Sequence, residues 1–253
     1  MKAIIQSELR RIESTYGVQV LYAVESGSRA WGFASIDSDY DVRFLYVHPA
    51  EWYLSVEAQR DVIEEPINDD LDISGWDLRK ALGLLRKSNP PLLEWLNSPI
   101  LYHQDDAFII DFRALAASYY SPEKTFLHYL HMAERNSRAY LSTEVVNLKK
   151  YLYVLRPIFA CRWIERDLGL VPMEFSRLAG RTADDPMLRF AIADLVMRKQ
   201  AGEELDRAPR VPIISDFIDS ELARLSANAP EKGEPQPTTQ LNSFFRNALL
   251  KAA

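Results

Sequence analysis

The chain has 253 residues, with 30 Lys plus Arg against 36 Asp plus Glu and a formal net charge of -6. Its 47% hydrophobic and 26% charged residues exclude a disordered protein, and the negative balance excludes one that coats nucleic acid by bulk electrostatics, which needs cations to release counterions. A single cysteine, Cys161, excludes an internal disulfide and a Cys-rich zinc site, four histidines leave little for a His-based metal centre, and 9 glycines disfavour a glycine-rich dinucleotide fold.

The first segment predicts an amphipathic helix: Ile5, Leu9, Ile12 and Tyr16 share one face, and Gly17 stands where a helix C-terminal glycine belongs. Residues 18–25, VQVLYAVE, read as a strand that runs into a Ser26-Gly27-Ser28 turn. A polar loop leads to a second strand at 40–47, YDVRFLYV. Two more strands are predicted at 61–65 and 71–76, joined by a turn holding Pro66 and Asn68-Asp69-Asp70. A helix starts near Asp77, Pro90-Pro91 interrupts it, and PLLEWLNS restarts it.

From about residue 107 the pattern is helical almost throughout. The predicted helices are 108–118, 123–141, 144–167, 173–179, 186–200, 212–226 and 240–251. Residues 227–239, NAPEKGEPQPTTQ, read as a flexible connector to the last of them. The expected fold class is therefore α+β, with an α+β unit over 1–117 and a helical bundle over 118–253. No stretch approaches ~20 apolar residues, and the N-terminus lacks the apolar core of a signal peptide, so a cytoplasmic chain with no membrane span is expected.

Asp39 and Asp41 are two apart at the entry to the second strand, a spacing that sets both carboxylates on one face. Like charges so placed repel, and only Arg43 in the immediate stretch opposes them. A divalent cation would reconcile them, since magnesium takes one or two carboxylates completed by phosphates and water. An isolated Asp-x-Asp also reads as a polar turn. The context strengthens the functional reading, because Gly27-Ser28 closes the preceding strand and a small residue there lets backbone approach a phosphate. Asp72, flanked by Ile73 and close to Trp76, is a candidate third acid inside a packed strand. Asp77 competes for that role, although its place before a helix suits an N-cap.

The run Gly27-Ser28-Arg29-Ala30-Trp31-Gly32 followed by Ser38-Asp39-Tyr40-Asp41-Val42-Arg43 resembles the GS…DxD signature of the DNA polymerase β-like nucleotidyltransferase superfamily. The blocks GSRAWGF, SDYDVRF, SGWDLRKAL and EWLNSP are similar to one bacterial and phage branch, the RNA-ligase-associated nucleotidyltransferases. The similarity extends to KKYLYVLRP (149–157) and CRWIE (161–165). The resemblance implies a mixed-sheet core followed by a helical domain that closes a nucleotide cleft. It implies that Gly27 and Ser28 hold the triphosphate of an NTP. It assigns Asp39 and Asp41 to two magnesium ions (manganese being an alternative) and Asp72 to the ion that activates the acceptor hydroxyl. The implied reaction is attack of that hydroxyl on the α-phosphorus with pyrophosphate leaving. The acceptor could be an RNA end, a protein side chain or a small molecule.

In the helical half, Lys149, Tyr153, Arg156 and Ala160 share one face of the predicted 144–167 helix, an arrangement that suits a nucleoside triphosphate, with Lys150 the alternative to Lys149. Pro157 is expected to kink that helix and free a carbonyl of the preceding turn. The bland alternative is a solvated face. His128 and His131 have no third partner, and Trp31, Trp76, Trp95 and Trp163 read as packing residues, with Trp31, in its Gly-flanked loop, alternatively lining the cleft. Two other readings remain beside the enzyme: a non-catalytic nucleotide- or RNA-binding module that keeps the fold, and a helical interaction protein. The nucleobase, the acceptor and the oligomeric state are not readable in the sequence.

Overall fold

The computed structural model describes residues 1–67, 70–202 and 207–251. In chain order the first elements are α1 (Lys2–Tyr16), β1 (Gln19–Glu25), α2 (Gly27–Trp31), β2 (Tyr40–Val47), α3 (Ala50–Tyr53), β3 (Val62–Glu64), β4 (Leu71–Asp77), α4 (Leu78–Arg86), α5 (Pro90–Leu96), β5 (Leu101–Gln104) and α6 (Asp106–Tyr119). Then follow α7 (Pro122–Tyr140), β6 (Val145–Asn147), α8 (Lys150–Glu165), α9 (Phe175–Thr182), α10 (Pro186–Gln200), β7 (Arg207–Pro209), α11 (Pro212–Ala227) and α12 (Thr239–Lys251). The fold is α+β, with a five-stranded mixed sheet ordered β3-β4-β2-β1-β5. The β2–β4 pair is parallel, while β1–β2, β1–β5 and β3–β4 are antiparallel.

The local signals explain most of these elements. Helix α1 buries Ile5, Leu9 and Ile12 and ends at Gly17 in the left-handed region. Asp77 caps α4 by accepting from Arg79 N at 2.8 Å, and Asn89 caps α5 by accepting from Leu92 N, with Pro90 at the first helical position. Of the turn expected between β3 and β4, Asn68 and Asp69 lie outside the described residues. Gly75 sits where it must, because a Cβ there would meet the Phe44 ring at 2.3 Å.

The chain forms two compact units. The first comprises Met1–Gly27, Asp39–Tyr120 and Glu234–Ala253; the second comprises Ser28–Ser38 and Ser121–Gly233. This division differs from the expected 1–117 and 118–253 at both ends of the chain. Helix α12 belongs to the first unit because Leu241, Phe244 and Phe245 pack into the core formed by α4, α5 and α6. The connector ahead of it is tied down, with Arg86 Nε donating to Gln236 O and Tyr119 Oη to Pro237 O. Residues 28–38 join the second unit because Phe33 is buried in its core.

The predicted helix over 144–167 is corrected. Residues 145–147 form β6, which pairs with β7 through Val145↔Pro209, Val146↔Ala208 and Asn147↔Arg207. Two adjacent β-branched valines favour that ladder over a helical turn. Helix α8 therefore starts at Lys150, and most of its side chains are buried rather than arranged as one solvated face. Pro157 lies inside it and has no N–H to give to Tyr153 O. Asn136 Nδ2, from α7, donates to that freed carbonyl at 3.0 Å.

Candidate active site

In the first unit, β2 and β4 run side by side with Asp41 and Asp72 as register partners. Strand alternation buries Ile73 and turns Asp72 to the other face. The Asp72 side chain is 31% exposed and that of Asp41 28%, so neither is the acid enclosed in a packed strand that the sequence suggests for Asp72. One guanidinium joins them. Arg43 Nη2 lies 2.8 Å from Asp72 Oδ2 and 3.2 Å from Asp41 Oδ1. Its Nη1 donates to Val42 O and Asp72 O, both at 3.0 Å. The repulsion between these acids is thus answered within the chain, and charge balance alone does not call for a cation. Asp39 lies just ahead of the strand and is exposed.

Behind Asp41 stands Glu25, the last residue of β1 and fully buried. Glu25 Oε1 accepts from Asp41 N at 2.8 Å, and its other oxygen accepts from Tyr102 Oη. Ser26 N donates to Asp41 O at 2.8 Å. Gly27 has φ +58, and a Cβ built there would fall 1.9 Å from Asp41 Oδ2. The glycine of Gly-Ser and the second acid of Asp-x-Asp are therefore in direct contact, and no side chain fits between them.

Asp77 has the structural task its position suggests. It is fully buried, caps α4, and accepts from Tyr53 Oη at 2.6 Å. Burial pushes its carboxyl above the ordinary value, while the Tyr53 and Arg79 hydrogen bonds pull the other way.

In the second unit, Ser28 is buried in α2, and its carbonyl accepts from Phe33 N. Arg29 Nη2 donates to Ser38 O at 2.6 Å and closes the loop that ends before Asp39. Arg156 is 2% exposed, with its guanidinium 4.7 Å from the Trp31 ring centre and Nη2 donating to Met173 O. Tyr153 meets Trp31 edge-on at 5.5 Å. Lys150, rather than Lys149, reaches Tyr153: its ammonium lies 4.8 Å from that ring and 4.6 Å from Tyr140. Lys149 is the exposed residue preceding α8. Trp31, read in the sequence as a packing residue or as one lining the cleft, contacts both Arg156 and Tyr153.

Magnesium takes hard oxygen ligands, commonly one or two carboxylates completed by phosphate and water. Asp41 and Asp72 fit that donor set as a pair. Among the described residues no three His, Cys, Asp or Glu side chains gather as a metal-holding group. Sequence reasoning missed Glu25 and Tyr102 and named Arg43 only as the charge opposing Asp39 and Asp41, not as the bridge to Asp72. The available signal for Glu25 was an acid closing an otherwise apolar strand; Tyr102 gave none, because its strand, β5, was not predicted.

Among known proteins, the uncharacterized protein YcgL of Bacillus subtilis (strain 168) is 51% identical over 251 residues, covering 98% of this chain and 96% of that one. A crystal structure of a nucleotidyltransferase-like protein from Exiguobacterium sibiricum 255-15 aligns over 89% of this chain and 77% of its own, with 12% identity and a TM-score of 0.38. Residues 1–247 match the RlaP family, described as the RNA repair pathway DNA polymerase beta family, and the chain belongs to that family of polymerase β-like nucleotidyltransferases.

Proposed function

We propose that the protein is a magnesium-dependent nucleotidyltransferase that moves NMP from an NTP to an acceptor hydroxyl. The contact between Gly27 and Asp41 carries this reading, because it joins the phosphate-approach glycine to the acid pair Asp41–Asp72. The bond formed is acceptor oxygen to α-phosphorus, and the bond broken leaves pyrophosphate. Asp41 and Asp72 would hold the metal, with Asp39 beside the strand entry as a further ligand. When bound, the metal supplies Lewis-acid stabilisation of the reacting phosphate oxygens. Gly27 leaves room against Asp41, Ser28 offers a hydroxyl to the triphosphate, and Arg43 and Glu25 fix Asp41 from its side chain and its backbone. Within the second unit, Lys149 or Lys150 with Tyr153 is the candidate nucleotide contact, whereas Arg156, 2% exposed, is held against Trp31 and Met173 O. The family description favours an RNA end as acceptor.

The test is transfer of label from α-labelled NTPs to RNA with magnesium or manganese. Asp41→Asn is expected to lower transfer by about a hundredfold or more, the scale of removing one preorganised electrostatic group. Unchanged labelling by an Asp39→Ala, Asp41→Ala double variant rejects the assignment. A non-catalytic nucleotide- or RNA-binding module is the second reading. It is favoured by one observation, the Arg43 bridge that satisfies Asp41 and Asp72 without a metal. NTP binding indifferent to both magnesium and Asp41 establishes that reading instead.

A further inference from the structure

Asp41 and Arg43 lie two apart on β2 and so share one face of the sheet, and the parallel register sets Asp72 beside Asp41 and Ser74 beside Arg43. The Arg43 side chain leans back along its own strand to meet both acids. Its two terminal nitrogens have different tasks. Nη1 donates to Val42 O and Asp72 O, both at 3.0 Å, and these carbonyls belong to the backbones of β2 and β4. Nη2 donates to Asp72 Oδ2 at 2.8 Å and to Asp41 Oδ1 at 3.2 Å. Each of these nitrogens carries two N–H groups, so each has an acceptor for every donor. The main-chain bonds hold the guanidinium in place independently of the carboxylates. The side chain is 18% exposed, so water and salt screen its charge only in part.

A charge count follows. Asp41 and Asp72 contribute two negative charges, and Arg43 contributes a positive one that no pH near neutrality removes. Asp39, exposed ahead of β2, adds an acid to this count without changing its sense. The number of ligand charges is a main determinant of how tightly a site holds a divalent cation. Both carboxylates lie within 3.2 Å of Nη2, so an ion held by either has the guanidinium as a close neighbour. A triphosphate reverses the balance, because its oxygens are both ligands for magnesium and acceptors for arginine. Gly27, against Asp41, is where the backbone leaves room for it.

We infer that Arg43 makes metal binding depend on the nucleotide: its fixed charge weakens the hold of the acid pair on a metal alone, and the triphosphate restores it. The inference rests on the nucleotidyltransferase reading and adds to it a coupling between the two ligands. Coupling is reciprocal, so the metal strengthens nucleotide binding by the same factor. The bridge that favours a metal-free module is, in a transferase, a guard against an idle metal.

Manganese binding to the full chain is followed through the EPR signal of the free ion, first without nucleotide. Arg43→Met and Arg43→Gln remove the charge, and Gln keeps a donor for a strand carbonyl. Arg43→Lys keeps the charge and loses the planar fork. Both neutral variants are expected to bind manganese alone about tenfold or more tightly than wild type, since at the dielectric of a protein surface a unit charge a few ångströms from a divalent ion is worth at least that factor. Arg43→Lys is expected to bind it as wild type does. Equilibrium dialysis of the four labelled NTPs, in chelator and in manganese, reads the coupling, and the gain from manganese should be smaller in Arg43→Met than in wild type. Urea midpoints check that each variant folds. Failure of both neutral variants to tighten manganese overturns the inference. Equal tightening in Arg43→Lys also overturns it, because the effect then comes from lost hydrogen bonds rather than lost charge. If Asp41→Asn still abolishes label transfer in either case, the transferase reading stands without it. A wild-type chain that takes up manganese neither alone nor with any NTP overturns both.

Discussion

In the first unit the buried charged side chains are Glu25, Asp77 and Glu94, whereas in the second they are Lys124, Arg156 and Glu221. The first unit thus buries carboxylates only, and the second buries two cations and one acid, among the described residues. The sequence carries the same asymmetry: residues 1–117 hold 11 Lys plus Arg against 19 Asp plus Glu, and residues 124–199 hold 13 against 8. Glu25 and Asp77 are satisfied by neutral donors, the hydroxyls of Tyr102 and Tyr53 and backbone N–H groups. Arg156 donates through Nη2 to the Met173 carbonyl and lies on the Trp31 ring. At partly exposed positions, Asp41 and Asp72 of the first unit share Arg43, and Lys199 of the second donates to Phe33 O. A net charge of -6 hides this separation.

The hardest strain on the comparison comes from removing α12. A chain ending at Thr238 loses Leu241, Phe244 and Phe245 from the first unit's core. At roughly 2 kcal/mol for the buried Leu241 and about 1 kcal/mol for each of the partly buried Phe244 and Phe245, about 4 kcal/mol is at stake, close to a small domain's whole stability. Hydrogen exchange should show lost protection in α4 and α6 and retained protection in α8 and α11. Uniform loss across both units would mean that they do not hold their stability separately.

Next come the buried charges. Glu25→Gln keeps the shape but points an amide N–H at a donor, and is expected to cost about 2 kcal/mol in urea unfolding. Arg156→Met keeps length and apolar contact and loses the Trp31 interaction, for about 1 kcal/mol. The larger loss should therefore fall on the first unit. A larger loss for Arg156→Met would reverse that order.

Much of this architecture is legible in the residues. Alternation and turn chemistry placed β1, β2, β3 and β4, and caps such as Asp77 and Asn89 marked helix starts. The spacing of Leu241, Phe244 and Phe245 gave α12 an apolar face, but no local pattern says which core a face covers. The same limit applies to residues 28–38. Valines 145 and 146 sit in a helix-like run, and their pairing with residues about sixty positions later decided the matter. At the site, spacing paired Asp41 with Asp39, whereas the β2–β4 register sets Asp41 beside Asp72. Glu25 beneath Asp41 and Lys199 on Phe33 O depend on tertiary contacts that spacing does not encode.

The smallest expected effect is a slope. Asp77 is fully buried, and burial raises its carboxyl above the value an aspartate has in the unfolded chain. In the interval between that unfolded value and the raised folded one, the native state binds more protons than the unfolded chain. Stability therefore falls as pH rises through the interval, and the benefit is complete only below it. Asn is as good an N-cap as Asp, and its carbonyl can still accept from Arg79 N. Asp77→Asn should accordingly flatten this part of the stability-against-pH curve while leaving α4 capped. Urea midpoints measured from pH 3 upward, at about half-unit steps, resolve such a slope. A variant curve parallel to wild type would show that the hydrogen bonds from Tyr53 and Arg79, rather than burial, dominate the Asp77 carboxyl. In that case the first unit holds this acid as a charge, and its burial of carboxylates is a stronger electrostatic commitment than desolvation alone allows.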